Sequence, residues 1–253
     1  MIKQIFNGIQ AYFSAVSLLN KLKLWRYFAV PIIIGFVLGI FILFSAYGLS
    51  DNLGSYISSI WGFAWGKETV TSISYFIAGL IILALGIVIF KHVLMAIIAP
   101  FMSPISEKIE QHLTGNIANK GTGIKAQTSA LARGIRLNLR NLIVEILWII
   151  PLFIFSFIPL IGFVFLIFIF LIQAYYAGFG NMDYTLERYF SYRESVAFVR
   201  KNRGIAIGNG IVFMFILLIP FIGILIVLPL SVVASTTETL KALHDEKTKE
   251  NRL

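Results

Sequence analysis

Four stretches of this chain, residues 27–50, 69–90, 146–182 and 204–237, contain no Asp, Glu, Lys, Arg or His. A helix needs about 20 predominantly apolar residues to cross a hydrocarbon layer about 30 Å thick. Inside that layer every backbone donor and acceptor must be satisfied within the protein. The tracts therefore predict an all-α membrane protein. Composition agrees, with 58% hydrophobic and 13% charged residues against about 45–50% and 25% in soluble domains. The charges fall in a few loops, so residues 1–253 are expected to form a single membrane-embedded domain.

Ahead of the first tract, Ile2, Phe6, Ile9, Phe13 and Val16 recur every three or four residues, with Lys3, Gln4, Asn7 and Gln10 between them. This pattern predicts an amphipathic helix lying in the membrane interface. The first long apolar stretch starts only after Arg26 and is too long for a signal-peptide core. Residues 1–26 are thus expected to remain in the mature protein. Residues 27–50 and 69–99 read as transmembrane helices, the second running past Lys91 and His92 to a break at Pro100. Tyr56, Trp61 and Trp65 between them suit an interface. Residues 100–145 read as a cytoplasmic region with turn-like Gly115, Asn116, Gly121 and Gly123, and 238–253 as a polar tail.

The two later tracts have matching centres: Ile158-Pro159-Leu160-Ile161-Gly162 and Ile219-Pro220-Phe221-Ile222-Gly223. Proline stops a helix and glycine permits a tight reversal, so 146–182 and 204–237 read as helical hairpins. Their first arms, about 13 and 16 residues or roughly 20 and 24 Å, are short for a bilayer. Partial penetration is the favoured reading, and four short full spans the other.

Charge sets the orientation. Lys3, Lys21, Lys23 and Arg26 precede the first span without an acid, whereas 51–68 holds only Lys67 against Asp51 and Glu68. Basic residues again exceed acids in 107–145 and 183–203. Two crossings and two hairpins that dip in and return put all the basic segments, and both termini, on the cytoplasmic side.

Enzyme chemistry finds little support. There is no cysteine, and His92, His112 and His244 are scattered without a second ligand at metal spacing. No catalytic residue, metal or cofactor is predicted. Gly178-Phe179-Gly180 and Gly208-Asn209-Gly210 read as packing points rather than a dinucleotide loop. Lys91 and Glu145 sit at tract edges, so no intramembrane proton relay is expected. Gln173 and Asn209 are candidates to line a path or to bond helices together.

The net charge is +9. With no soluble basic domain, nucleic acid is not an expected partner, and anionic lipid or an anionic solute is. Arg133, Arg136 and Arg140 share a helical face, and Arg193 and Arg200 repeat the seven-residue spacing. They would bind lipid phosphates or line a vestibule that concentrates anions. Lys21, Lys23 and Arg26 meet a helix N-terminus, where backbone N–H groups and a guanidinium can hold an oxyanion.

The segment Ile98-Ala99-Pro100-Phe101, followed by Ser106-Glu107-Lys108-Ile109-Glu110 and Leu113-Thr114-Gly115, resembles the signature of the CysZ sulfate permeases and the related etoposide-induced membrane proteins. Arg26 with Pro31, Pro159 with Gly162, Asp183-Tyr184, and Ile219-Pro220 with Pro229 follow in order, ahead of or beside Gly223. The resemblance implies an inner-membrane homo-oligomer that imports sulfate for cysteine synthesis. It also implies two long transmembrane helices and two hemi-penetrating hairpins. The family's Gly-Leu-Arg-Arg sulfate motif falls on Lys23, Leu24, Trp25 and Arg26, retaining the second arginine. Two other readings stand beside this one. The first is a lipid-binding scaffold that carries no solute. The second is a lipid-modifying enzyme, which would need Glu107 and Glu110 together in a closed pocket; as helix neighbours they read better as a cap and surface pair.

Overall fold

The structure is a computed structural model, and it describes residues 1–59, 66–115, 123–219 and 222–250. Trp61, Trp65, Asn116, Gly121, Pro220 and Phe221 lie outside the described residues. Among those described, the regular structure is helical throughout: α1 (Ile2–Lys21), a 3-10 turn (Leu24–Phe28), α2 (Ala29–Ser59), α3 (Lys67–Thr114), α4 (Ile124–Phe155), α5 (Gly162–Leu186), α6 (Tyr192–Lys201), α7 (Arg203–Leu217) and α8 (Ile222–Glu250). Five helical stretches among the described residues are long and apolar enough to cross a membrane. The chain is therefore a multi-pass, all-α membrane protein.

α2 and α3 form an antiparallel pair, with Gly54 against Tyr75 and Gly86 against Ile42. The outer face of α2 is apolar and exposed at Phe44, with Ile33, Val37 and Phe41 on the same side. A continuous apolar face of this kind suits lipid and not water.

The break expected at Pro100 is a correction. α3 runs for 48 residues through both Pro100 and Pro104, about 72 Å. Each proline lacks an N–H, freeing one carbonyl of the preceding turn. The helix persists because α4, α5 and α8 pack along this segment. α4 meets it at Gly134, where a Cβ would lie 2.8 Å from the Ala99 Cβ and 3.2 Å from the freed Ala96 carbonyl oxygen. The chain stops at Gly115, which takes a left-handed conformation and donates its N–H to the Gln111 carbonyl.

Residues 124–145, the later part of the region expected to be cytoplasmic, are helical, as the shared face of Arg133, Arg136 and Arg140 implied. The basic stripe and the first hairpin arm are one helix, α4, of 32 residues. Arginine, leucine and alanine favour helix, and nothing between 124 and 150 interrupts it. The arms of this hairpin, 32 and 25 residues, are thus longer than its apolar tract alone suggested. In the second hairpin α7 has only 15 residues, about 22 Å.

The first reversal occurs at Pro159-Leu160-Ile161-Gly162, and of the second motif Ile222 and Gly223 open α8. A Cβ on Gly162 would fall 2.0 Å from the Ser156 carbonyl oxygen, and one on Gly223 would fall 2.2 Å from that of Ile216. Glycine lets each helix leave its turn that closely. Pro159 lies in the first turn, and Leu160 at its tip is 92% exposed, a placement suited to hydrocarbon.

α7 is held between α5 and α1. Gly178 meets the Ala206 carbonyl and Gly210 that of Ala174, while Gly208 meets the Ile5 carbonyl and Gly8 the α7 backbone. The two Gly-x-Gly motifs are packing points, in the small-residue manner of membrane helices. α1 uses a different face from the one its pattern advertised: Gly8, Ala11, Tyr12, Ala15 and Leu19 are buried against α7 and α8. Ile2, Phe6, Phe13 and Val16 point outward, available to lipid.

Candidate functional site

α1 ends at Lys21, and the chain turns at Lys23, which adopts left-handed backbone angles (φ 52°, ψ 40°). This is the position the CysZ pattern gives to glycine. A side chain there costs about 1–2 kcal/mol, yet the reversal is made. Leu24 and Phe28 are buried and anchor the 3-10 turn. Trp25 stays half-exposed and donates its indole N–H to the Asn20 side chain at 2.8 Å.

Arg26 is exposed and donates Nη2 to the Tyr27 hydroxyl at 3.1 Å, its guanidinium 5.0 Å from that ring. Lys108 arrives from α3, with Nζ 2.5 Å from the same hydroxyl and 3.9 Å from the ring centre. Among the described residues neither cation pairs with a carboxylate. Lys23 has no side-chain bond capping the 3-10 turn, which opens at this spot. Two cations on one phenol beside a helical N-terminus can hold an oxyanion through charge and N–H donors. Sequence reasoning missed Lys108; it lies within the Glu107–Glu110 motif, but nothing local pairs it with a residue 81 positions earlier.

The predicted vestibule divides. Arg133 is committed: it grips both oxygens of Asp183 at 2.9 and 2.7 Å, the Phe190 carbonyl at 2.8 Å and the Ser195 hydroxyl at 2.7 Å. That is a correction, because a guanidinium so fully engaged has little left for a passing anion. Its burial tied α4 to α5 and α6, which the seven-residue spacing could not reveal. Arg136, Arg140, Arg193 and Arg200 remain at or near the surface. α6, which carries Arg193 and Arg200, starts with a capping box: the Ser191 N–H donates to Glu194 at 2.7 Å. That backbone bond, with the Ser191 side chain, holds the Glu194 carboxyl below its usual range.

Asn209 takes the second of the two roles open to it. It is buried, accepts from Asn181 at 2.9 Å and donates to the Ser231 carbonyl at 3.2 Å, while its own carbonyl accepts from Tyr12. It bonds helices together. Gln173 is half-buried, and its carbonyl receives Lys91 Nζ at 3.1 Å.

That contact belongs to a charged cluster the tract edges concealed. Lys91 and Glu145 are fully buried, Nζ to Oε1 at 2.5 Å. His92, also buried, places Nε2 2.8 Å from the other Glu145 oxygen and Nδ1 3.3 Å from the Asn138 amide oxygen. Lys91 and Glu145, placed at tract edges by the sequence, are thus buried together with His92. α3 and α4 bring two tract ends side by side, and α5 covers them.

Glu110 is not a surface residue either. Arg188, wholly buried, donates Nε and Nη2 to it at 2.9 and 2.7 Å and bonds Ser106 and the Tyr184 carbonyl. Tyr189 donates its hydroxyl to the same carboxylate, and that phenol is pushed up, by burial first and then by this bond. Glu107 parts from Glu110. It lines a cavity of about 570 Å³ with Pro100, Ser103, Lys125 and Glu187, so the paired-carboxylate pocket of a lipid-modifying enzyme is not formed. Phe101 next to Pro100 is partly exposed. Among the described residues no cluster of three or more His, Cys, Asp or Glu could hold a metal.

A family model described as "Sulfate transporter CysZ/Etoposide-induced protein 2.4" matches residues 11–227. No curated protein matches the chain.

Proposed function

We propose that this chain, which belongs to the Sulfate transporter CysZ/Etoposide-induced protein 2.4 family, is a permease or channel for sulfate or a similar oxyanion. In this reading it works in the inner (cytoplasmic) membrane as a homo-oligomer, with both termini cytoplasmic, and supplies sulfate for cysteine biosynthesis. It performs no enzymatic reaction. The observation that carries the reading is the convergence of Arg26 and Lys108 on Tyr27 at the head of the first span, with no carboxylate partner among the described residues. Lys23 and the backbone of Leu24 and Trp25 complete the candidate site. The shortness of α7 supports a second hairpin that enters the bilayer only part-way.

A second reading is a membrane scaffold that binds anionic lipid and carries no solute. It draws on the commitment of Arg133 and Asn209 to structural bonds. Sulfate binding to the purified protein separates the two. A charge-assisted hydrogen bond contributes about 1.5–3 kcal/mol, so Arg26→Ala is expected to weaken binding at least about tenfold. Lys108→Ala acts in the same direction. Binding unchanged in both variants contradicts the site.

A further inference from the structure

Arg26 and Lys108 belong to elements far apart in the chain, the 3-10 turn and α3, and both are exposed cations. Like charges repel, so a third group has to hold them at one corner. The acids beside Lys108 in sequence do not. Glu110 turns inward to Arg188 and Tyr189, and Glu107 lines the cavity with Pro100. What joins the two cations is Tyr27. Its oxygen accepts from Arg26 Nη2 at 3.1 Å and from Lys108 Nζ at 2.5 Å. Both cations also stand over its ring, the guanidinium 5.0 Å and the ammonium 3.9 Å from the centre, where the ring attracts positive charge. Leu24 and Phe28, both buried, fix the turn that carries the phenol.

A phenol oxygen that accepts two hydrogen bonds has no acceptor capacity left, and its own O–H remains to be donated. Two cations drawing on the oxygen make that O–H a stronger donor. Asn20, near the end of α1, is spent as an acceptor as well: its Oδ1 takes the Trp25 indole N–H at 2.8 Å, and its backbone carbonyl takes the Lys23 N–H at 3.2 Å. The corner therefore offers donors, namely the remaining N–H groups of Arg26 and Lys108 with the Tyr27 hydroxyl between them. A tyrosine at a span entry ordinarily serves as an interface anchor, a role that uses the ring and needs no particular partner.

We infer that Tyr27 is a positioning and binding residue for the oxyanion: its oxygen sets the separation of Arg26 and Lys108, and its O–H donates to the bound anion. This rests on the oxyanion reading proposed above, and it gives the site a member that residues 23–26 do not contain.

The test is titration of sulfate into the full-length protein in detergent by isothermal calorimetry, with thermal unfolding followed alongside. Tyr27→Phe keeps the ring and removes the oxygen. It is expected to weaken sulfate binding about tenfold, as for the loss of a hydrogen bond to a charged group, and to leave the unfolding temperature at the wild-type value. Tyr56→Phe, the same change on an exposed tyrosine of α2, is expected to bind like wild type. In the Arg26→Ala and Lys108→Ala backgrounds Tyr27→Phe is expected to cost only about threefold or less, because the oxygen no longer has two cations to join and coupled residues are not additive. A tyrosine that served only as an anchor would show no such coupling. The inference is overturned by unchanged binding in Tyr27→Phe, or by tighter binding, which would mark a phenol occupying the anion's place. It is also overturned by a loss that stays about tenfold in both alanine backgrounds. Absence of sulfate binding by wild type overturns the proposed function and this inference together, whereas wild-type binding with any of the contrary Tyr27 results overturns this inference alone.

Discussion

Glu145→Gln is expected to destabilise the protein by about 3–5 kcal/mol, the usual cost of leaving one partner of a buried ion pair uncompensated. The substitution keeps the shape of the side chain but strands the Lys91 ammonium, which is fully buried and, among the described residues, otherwise held only by the Gln173 carbonyl. Removing both charges is a different matter. Lys91→Met together with Glu145→Gln leaves an amide to meet His92 and no orphan ion, so much of the loss should be recovered. Replacing a whole buried pair is often neutral or better. The measurement is the temperature at which detergent-solubilised protein leaves the monodisperse peak. The single variant is expected to fall by roughly 10 °C, and the double variant to return most of the way. Equal losses in the two would show that the cluster is not acting as an ion pair.

The second large effect lies at the crossing of α5 and α7. A Cβ at Gly210 would stand 1.7 Å from the Ala174 carbonyl oxygen, and one at Gly178 1.9 Å from that of Ala206. These neighbours are backbone and cannot rotate away, so the helices must separate. α7 is short and owes its position to this contact and to its contact with α1. Gly210→Leu is therefore expected to abolish recovery of folded protein from membranes, beyond the 1–3 kcal/mol typical of overpacking. Gly48→Leu, on the exposed face of α2 with nothing within 4 Å, is the matched control and should be recovered like wild type. Recovery of the Gly210 variant at the control level would mean that the crossing is not close.

Both effects bear on what can be read from a membrane sequence. The apolar tracts, the two hairpin turns and the packing role of the paired glycines were legible, because each depends on local chemistry. Pro159 and Gly162 announce their turn without help from the rest of the chain. The charged clusters were hidden for a physical reason. Hydropathy marks where an apolar tract ends, but a helix continues through that end, as α3 does past Lys91 and through Pro100. Lys91 and Glu145 each look peripheral within their own segments. They become central only when antiparallel packing sets one edge against the other. Arg133 and Glu110 were misjudged in the same way, since Asp183 and Arg188 lie 50 and 78 residues away. At the candidate site Lys23 and Arg26 could be named from sequence, whereas Lys108 needed the fold.

The central claim is that an oxyanion crosses the membrane through this protein, and flux tests it directly. Purified protein is reconstituted into sealed liposomes, and uptake of labelled sulfate is followed beside thiosulfate, chloride and empty liposomes. Uptake of sulfate or thiosulfate well above that of empty liposomes, and strongly reduced by Arg26→Ala, is the predicted result. Uptake no greater than in empty liposomes would contradict the account.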